Sequence, residues 1–242
     1  MYFAISAWLN IKYFMILHVT LSSCLSLNLT IANTTEGEIS FHDWLGDSWG
    51  ILFSHPSDFT PVCTTELARV IKLYPEFIAR HVKVIGLSCD SIASHHEWCK
   101  DIQFYAGCSV DEKFPYPIIE DLDRKLAMQL GMVDKDELDA AGIPLTARAV
   151  FIVDPNKKFR LSILYPATTG RNFDEILRVL DSLQLTDNAK VATPVDWKMG
   201  DDCMVLPTVP EDKVSEVFPN GVTVVDMPSG KNYIRKTPCP KI

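Results

Sequence analysis

The chain has 242 residues, room for one large domain or a core domain with a small appendage. Its 47% hydrophobic and 22% charged residues are an ordinary globular mix. The formal net charge of −8, without any basic run, argues against nucleic acid as a partner. Residues 1–30 are largely apolar, interrupted by Lys12 and His18, and read as an atypical leader. Residues 13–21 suit a signal-peptide core, but the basic segment before them is poor and Lys12 weakens a spanning reading. Two compartments follow: cytoplasmic, or secreted or membrane-associated if the leader acts as a signal.

Beyond residue 40 the pattern becomes regular. Residues 50–54 (GILFS) predict a buried strand that ends at His55-Pro56. A helix is expected over 65–80, with Leu67, Val70, Ile71, Tyr74, Phe77 and Ile78 on one face. Pro75 is expected to kink or divide it. Strands follow at 82–88 and 117–120, and helices at 94–105 and 122–130. Residues 147–153 and 158–164 are β-rich runs joined by the turn Asp154-Pro155-Asn156-Lys157, and 172–185 is an amphipathic helix. From Val191 the chain turns Pro-rich and strand-like. The expected fold is α/β, a central sheet flanked by helices with a small C-terminal β-rich arm. The expected division is 1–30, 31–190 and 191–242.

Seven cysteines, odd in number and irregularly spaced, do not form a disulfide framework, and none has CxxC spacing. They suit a reducing compartment. Cys63 stands apart because it joins a buried strand to the start of a helix. Thr60 suits the N-cap and Pro61 the first helical position, which puts Cys63 in the first turn. Free N–H groups and the positive helix end favour an anion there, and the thiolate is the reactive form of cysteine. Arg148 is a candidate cation beside it, and the Thr60 hydroxyl a candidate donor to the sulfur or to an incoming oxygen. Such a sulfur attacks a peroxide and becomes a sulfenic acid. Cys89, Cys99 and Cys108 read as inert. Cys203 and Cys239, in the arm, are candidates to resolve a sulfenic acid. No ligand cluster for a metal or organic cofactor is apparent.

The run Pro56-x-x-x-Thr60-x-x-Cys63 resembles the signature of the peroxiredoxins, and Asp58-Phe59-Thr60-Pro61-Val62-Cys63 resembles their 1-Cys branch. The likeness extends from about Ala32 to Ile242, through Thr146–Phe151, Leu161–Leu180 and Ala192–Thr208. It implies a thioredoxin-like core and a C-terminal dimerisation arm. It also implies Cys63 as peroxidatic cysteine, with Thr60, Pro56, Arg148 and His55 shaping its pocket. The substrates implied are hydrogen peroxide and organic or phospholipid hydroperoxides. The Val-Cys-Pro resolving motif of the 2-Cys branch is absent, so the reductant is expected from outside: glutathione, with a glutathione transferase as partner. The family's usual segment before Ala32-Asn33-Thr34-Thr35 is replaced by the apolar leader.

Gly46-Asp47-Ser48-Trp49-Gly50 matches G-x-S-x-G, but Ser48 precedes its strand instead of following one. The resemblance implies a calcium-independent phospholipase A2 side activity through Ser48 and His42, acting at a phospholipid surface. The family's acid falls at Asn156, so Asp154 would have to substitute. The competing readings are turn and surface roles for Ser48 and His42. For the whole chain they are a non-catalytic redox sensor or a lipid-binding protein.

Overall fold

The structure is a computed structural model and describes residues 31–241. The leader lies outside the described residues. The chain opens with β1 (Ala32–Thr34) and β2 (Gly37–Ile39), an antiparallel hairpin, then α1 (Phe41–Leu45) and β3 (Trp49–Ser54). There follow α2 (Pro61–Ala79), β4 (Val82–Ser88), α3 (Ile92–Ala106) and β5 (Ile118–Glu120). Next come α4 (Lys125–Gln129), β6 (Val133–Leu138), β7 (Pro144–Thr146), β8 (Arg148–Val153) and β9 (Phe159–Tyr165).

Seven strands form one mixed sheet in the order β2-β1-β5-β4-β3-β8-β9, while β6 and β7 make a separate hairpin. The crossovers β3-α2-β4 and β4-α3-β5 join parallel neighbours. β8 runs antiparallel to β3, and the expected hairpin with β9 turns at Asp154–Lys157. All six residues of β3 and of β8 are buried, which is why both read as continuous apolar runs without alternation. Gly50 shows how tightly α1 packs on β3. A Cβ there would stand 2.7 Å from Leu45 Cδ1.

Two expectations for α2 differ. The helix begins at Pro61 and passes through Pro75 without division. Pro75 lies on the exposed face, where water can satisfy the carbonyl that proline leaves unbonded. The buried face is Cys63, Glu66, Leu67, Val70, Leu73 and Phe77, whereas Ile78 is 54% exposed. The expected helix over 122–130 is a five-residue turn of helix, begun at Arg124 in left-handed conformation.

A second compact unit runs from Asn172 to the end, so the amphipathic helix groups with the C-terminal strands and the division falls before it. This helix, α5 (Phe173–Asn188), is capped by Asn172, whose side chain accepts from Asp174 N and Glu175 N. It is followed by β10 (Val191–Ala192), β11 (Cys203–Val205), a 3₁₀ turn at Glu211–Lys213, α6 (Val214–Val217), β12 (Thr223–Val224) and β13 (Arg235–Thr237). The strands pair in the order β10-β11-β13-β12 over a small core of Leu185, Val191, Trp197, Cys203, Val205, Val209 and Phe218.

Candidate active site

The loop between β3 and α2 carries the site. Thr60 has the extended backbone of an N-cap, but its side chain makes no capping bond. Its hydroxyl donates instead to Ser57 O at 2.9 Å, so the proton is not aimed at the sulfur as expected. Phe59 takes a left-handed φ of 51°, a costly conformation for a non-glycine residue that the surrounding bonds must hold. Those bonds come from Asp90, whose carboxylate accepts from Asp58 N, Ser88 Oγ and Ser57 Oγ.

Cys63 is fully buried in the first turn of α2. Arg148, the first residue of β8, donates from Nη1 to Cys63 Sγ at 3.2 Å. The same nitrogen donates to Glu66 Oε2 at 2.8 Å. Cys63 and Glu66 share a face because they are three apart on the helix, so one guanidinium spans both. The rest of Arg148 is held by Ala167 O, which accepts from Nε and Nη2 at 2.8 and 2.7 Å. A cation fixed from two sides cannot swing away from the sulfur.

Glu66 is the keystone of this arrangement. Its carboxylate accepts from Arg148 on one side and, on the other, from Arg171 N, Nε and Nη2. Burial by itself would raise this carboxyl, but the charge and hydrogen bonds of Arg171, then Arg148, outweigh it and hold the carboxyl below its usual range. Arg171 Nη1 also bonds Ser54 O and Ala149 O, tying the ends of β3 and β8 to the site.

His55 lies behind the loop, fully buried against the Trp98 ring at 5.0 Å. Its Nε2 donates to Asp58 Oδ1 at 2.9 Å, and His95 Nδ1 donates to Asp58 Oδ2 at 2.7 Å. Burial is the largest influence on His55 and lowers its pKa, against the opposing pull of Asp58. Burial would raise Asp58, but the two histidine hydrogen bonds hold it well below the ordinary range. His55 Nδ1 is buried without a partner; on a neutral ring bonded through Nε2 it is a bare lone pair, less costly than an orphaned N–H. His55, Asp58 and His95 also place donor atoms within 4.8 Å of one another, the spacing a metal ion needs, but here those donors bond one another.

Pro56 is buried in the same turn, so Cys63, Arg148, Pro56, Thr60 and His55 are built onto one strand-loop-helix unit and the neighbouring β8. Sequence reasoning missed Glu66, Arg171, Asp58 and His95. Cys89 and Cys99 behave as inert buried thiols, pushed up by burial to about 11 and about 12.

The Ser48, His42 and Asp154 set is not assembled as expected. Ser48 Oγ makes a long 3.4 Å contact with His81 Nε2, and buried His42 Nε2 has no hydrogen-bond partner. Asp154 accepts from Lys158 N and Arg160 Nη1, and so serves the β8–β9 turn. Both motif glycines have backbone duties: Gly46 ends α1 at positive φ, and Gly50 admits Leu45.

A cysteine held in the first turn of a helix beside a fixed guanidinium, at the end of an interior strand of a thioredoxin-like sheet, defines a thiol-dependent oxidoreductase. Comparison with known proteins narrows the class. Residues 24–162 match the AhpC/TSA family and residues 182–220 match the C-terminal domain of 1-Cys peroxiredoxin. Peroxiredoxin-6 of Gallus gallus is 65% identical over 210 residues, covering 87% of this chain and 94% of that protein. The crystal structure of peroxiredoxin 6 of Arenicola marina matches with a TM-score of 0.85 at 58% identity, over 88% of this chain and 96% of that one. A yeast mitochondrial 1-Cys peroxiredoxin, described for thiol resolution via glutathione/thioredoxin systems, matches with a TM-score of 0.75 at 43% identity, over 86% of this chain and 94% of that one. The chain belongs to the 1-Cys peroxiredoxins of the peroxiredoxin-6 type, and it is a thiol peroxidase.

Proposed function

We propose that Cys63 is the peroxidatic nucleophile and that Arg148 is the group that stabilises charge at it. The 3.2 Å donation from Arg148 Nη1 to the buried Cys63 sulfur carries this reading. The Cys63 thiolate attacks the terminal oxygen of a hydroperoxide; the O–O bond breaks, and the alkoxide or hydroxide leaves as alcohol or water after taking a proton. The guanidinium, already fixed on Glu66 and Ala167, is placed to stabilise negative charge spreading onto the leaving oxygen. Pro56, Thr60 and His55 position the turn. Glutathione reduces the sulfenic acid: a first thiol gives a mixed disulfide and water, and a second releases Cys63 and glutathione disulfide. We further assign hydrogen peroxide and organic or phospholipid hydroperoxides as substrates, a homodimer as the working form, a glutathione transferase as helper, and the cytoplasm as compartment. No metal or organic cofactor enters this scheme.

Peroxide consumption by the full chain, wild type beside Cys63→Ser, tests the reading when glutathione plus its transferase and thioredoxin are supplied in turn. Turnover is expected only in the wild type, and with the glutathione system. Equal turnover in the variant would overturn Cys63 as the nucleophile.

A second reading concerns Ser48, because its hydroxyl has a histidine contact, although to His81 instead of His42. In this reading Ser48 hydrolyses phospholipid esters with His81 as its base. Phosphatidylcholine hydrolysis is then lost in Ser48→Ala and His81→Asn but kept in His42→Asn and Cys63→Ser. Loss in His42→Asn alone would exclude His81 as the base.

A further inference from the structure

Two cysteines outside the peroxidase site lie together in the C-terminal unit. β11 and β13 pair antiparallel with Cys203 opposite Thr237. Cys239 follows two residues beyond Thr237, just past the end of β13. Cys203 is fully buried in the core of this unit, and partly buried Cys239 packs against that core. The Cys239 sulfur lies 4.0 Å from Met199 Sδ and donates to Pro240 O at 3.6 Å. We propose that Cys203 and Cys239 form a reversible disulfide that fastens the chain after β13 to β11, independently of Cys63.

Burial first, then the neighbouring Cys239, pushes Cys203 up to about 11. Both thiols belong to one small core, so the segment that carries Cys239 after β13 is the part that moves to join them. The raised pKa also sets the order of events. Cys203 is a poor first attacker, while Cys239 is partly open to solvent. The Cys239 thiolate attacks glutathione disulfide, its S–S bond breaks, and one glutathione thiolate leaves. The Cys203 sulfur then attacks the Cys239 sulfur of the mixed disulfide and expels the second glutathione. Two protein thiols are oxidised and one glutathione disulfide is reduced to two glutathiones, with the two protons passing to the departing thiolates. Glutathione disulfide is the oxidised product of the reductant assigned above, but the pair responds to it from any source.

The test uses the full chain carrying Cys63→Ser, incubated with glutathione disulfide, alkylated and digested. The expected result is loss of two free thiols per chain, a peptide linking Cys203 to Cys239, and an unfolding midpoint several degrees higher that dithiothreitol reverses. Adding Cys239→Ser abolishes the link and the rise while leaving the reduced protein's midpoint unchanged. Cys203→Val gives the same loss of the link. Cys239 ending as a stable glutathione adduct, a link between two chains, or both thiols surviving the oxidant would each overturn the proposal.

Discussion

Arg148 is held on Cys63 because Ala167 O accepts from its Nε and Nη2 while Glu66 Oε2 accepts from the same Nη1 that reaches the sulfur. Replacing it with methionine keeps the length of the side chain and removes the donor. The rate of Cys63 oxidation is expected to fall about 10²–10³-fold, the cost of deleting one fixed donor to a developing anion. Stopped-flow tryptophan fluorescence with hydrogen peroxide measures it. Glu66 has the opposite character, since it touches no substrate and holds two cations. Glu66→Gln leaves Arg148 and Arg171 buried without their shared counter-charge, at 3% and 0% side-chain exposure. A loss of about 3–5 kcal/mol is expected from breaking a buried pair in this way. Urea unfolding reads it directly, and an unchanged midpoint would mean that the carboxylate does not hold the two arginines.

The α2 helix illustrates the balance between pattern and packing. Leu67 is fully buried beside the catalytic turn, and Ile78 is 54% exposed although both were expected on one face. Leu67→Ala is therefore expected to cost about 2–5 kcal/mol through the lost contacts and the cavity left behind. Ile78→Ala should stay within about 0.5 kcal/mol, as surface changes do. Parallel denaturant titrations separate the two. The buried stripe is displaced because its catalytic half is polar: Cys63 and Glu66 occupy it at the start of the helix, positions that a search for apolar spacing passes over. Element existence was otherwise legible. β3, β4, β8, β9, α2, α3 and α5 all fall where periodicity puts them, with shifts of a few residues at their ends. The β1–β2 and β6–β7 hairpins were not, since three of their strands have only three residues and none of the four carries a continuous apolar run.

For the whole molecule, the buried His55–Asp58–His95 network predicts loss of stability in acid. His55 is lowered from 6.5 by burial, so its neutral form is the folded one. Above that value neither state carries the proton. Below it the unfolded chain takes up a proton that the folded site resists, and stability falls with pH. Asp58, lowered from 3.8, adds a second stage: its contribution is present above 3.8 and lost as the pH falls through its folded value. The thermal midpoint should therefore drop between about pH 7.5 and about pH 5.5, and drop less in His55→Asn, once each protein's own midpoint at the higher pH is subtracted. An equal drop in both proteins would remove His55 as the source of the first stage.

By itself the sequence determined what is local. Apolar period and turn residues placed the strands and helices, and the spacing Pro56, Thr60, Cys63 placed a thiol in the first turn of a helix. It also supplied Arg148 as a candidate cation, through the resemblance and through its position at the head of a strand. Only the tertiary structure decided which charges meet. Arg171 bonds Glu66 from 105 residues away, and Arg148 reaches it from 82. Asp58 is clamped by His95, 37 residues on, and Ser48 faces His81 in place of His42. The physical reason is that a buried ion pair has no local signature. Glu66, Arg171 and His95 read as ordinary polar residues along the chain, and only the packing of α2 and α3 around the sheet takes them out of water and forces them to satisfy one another.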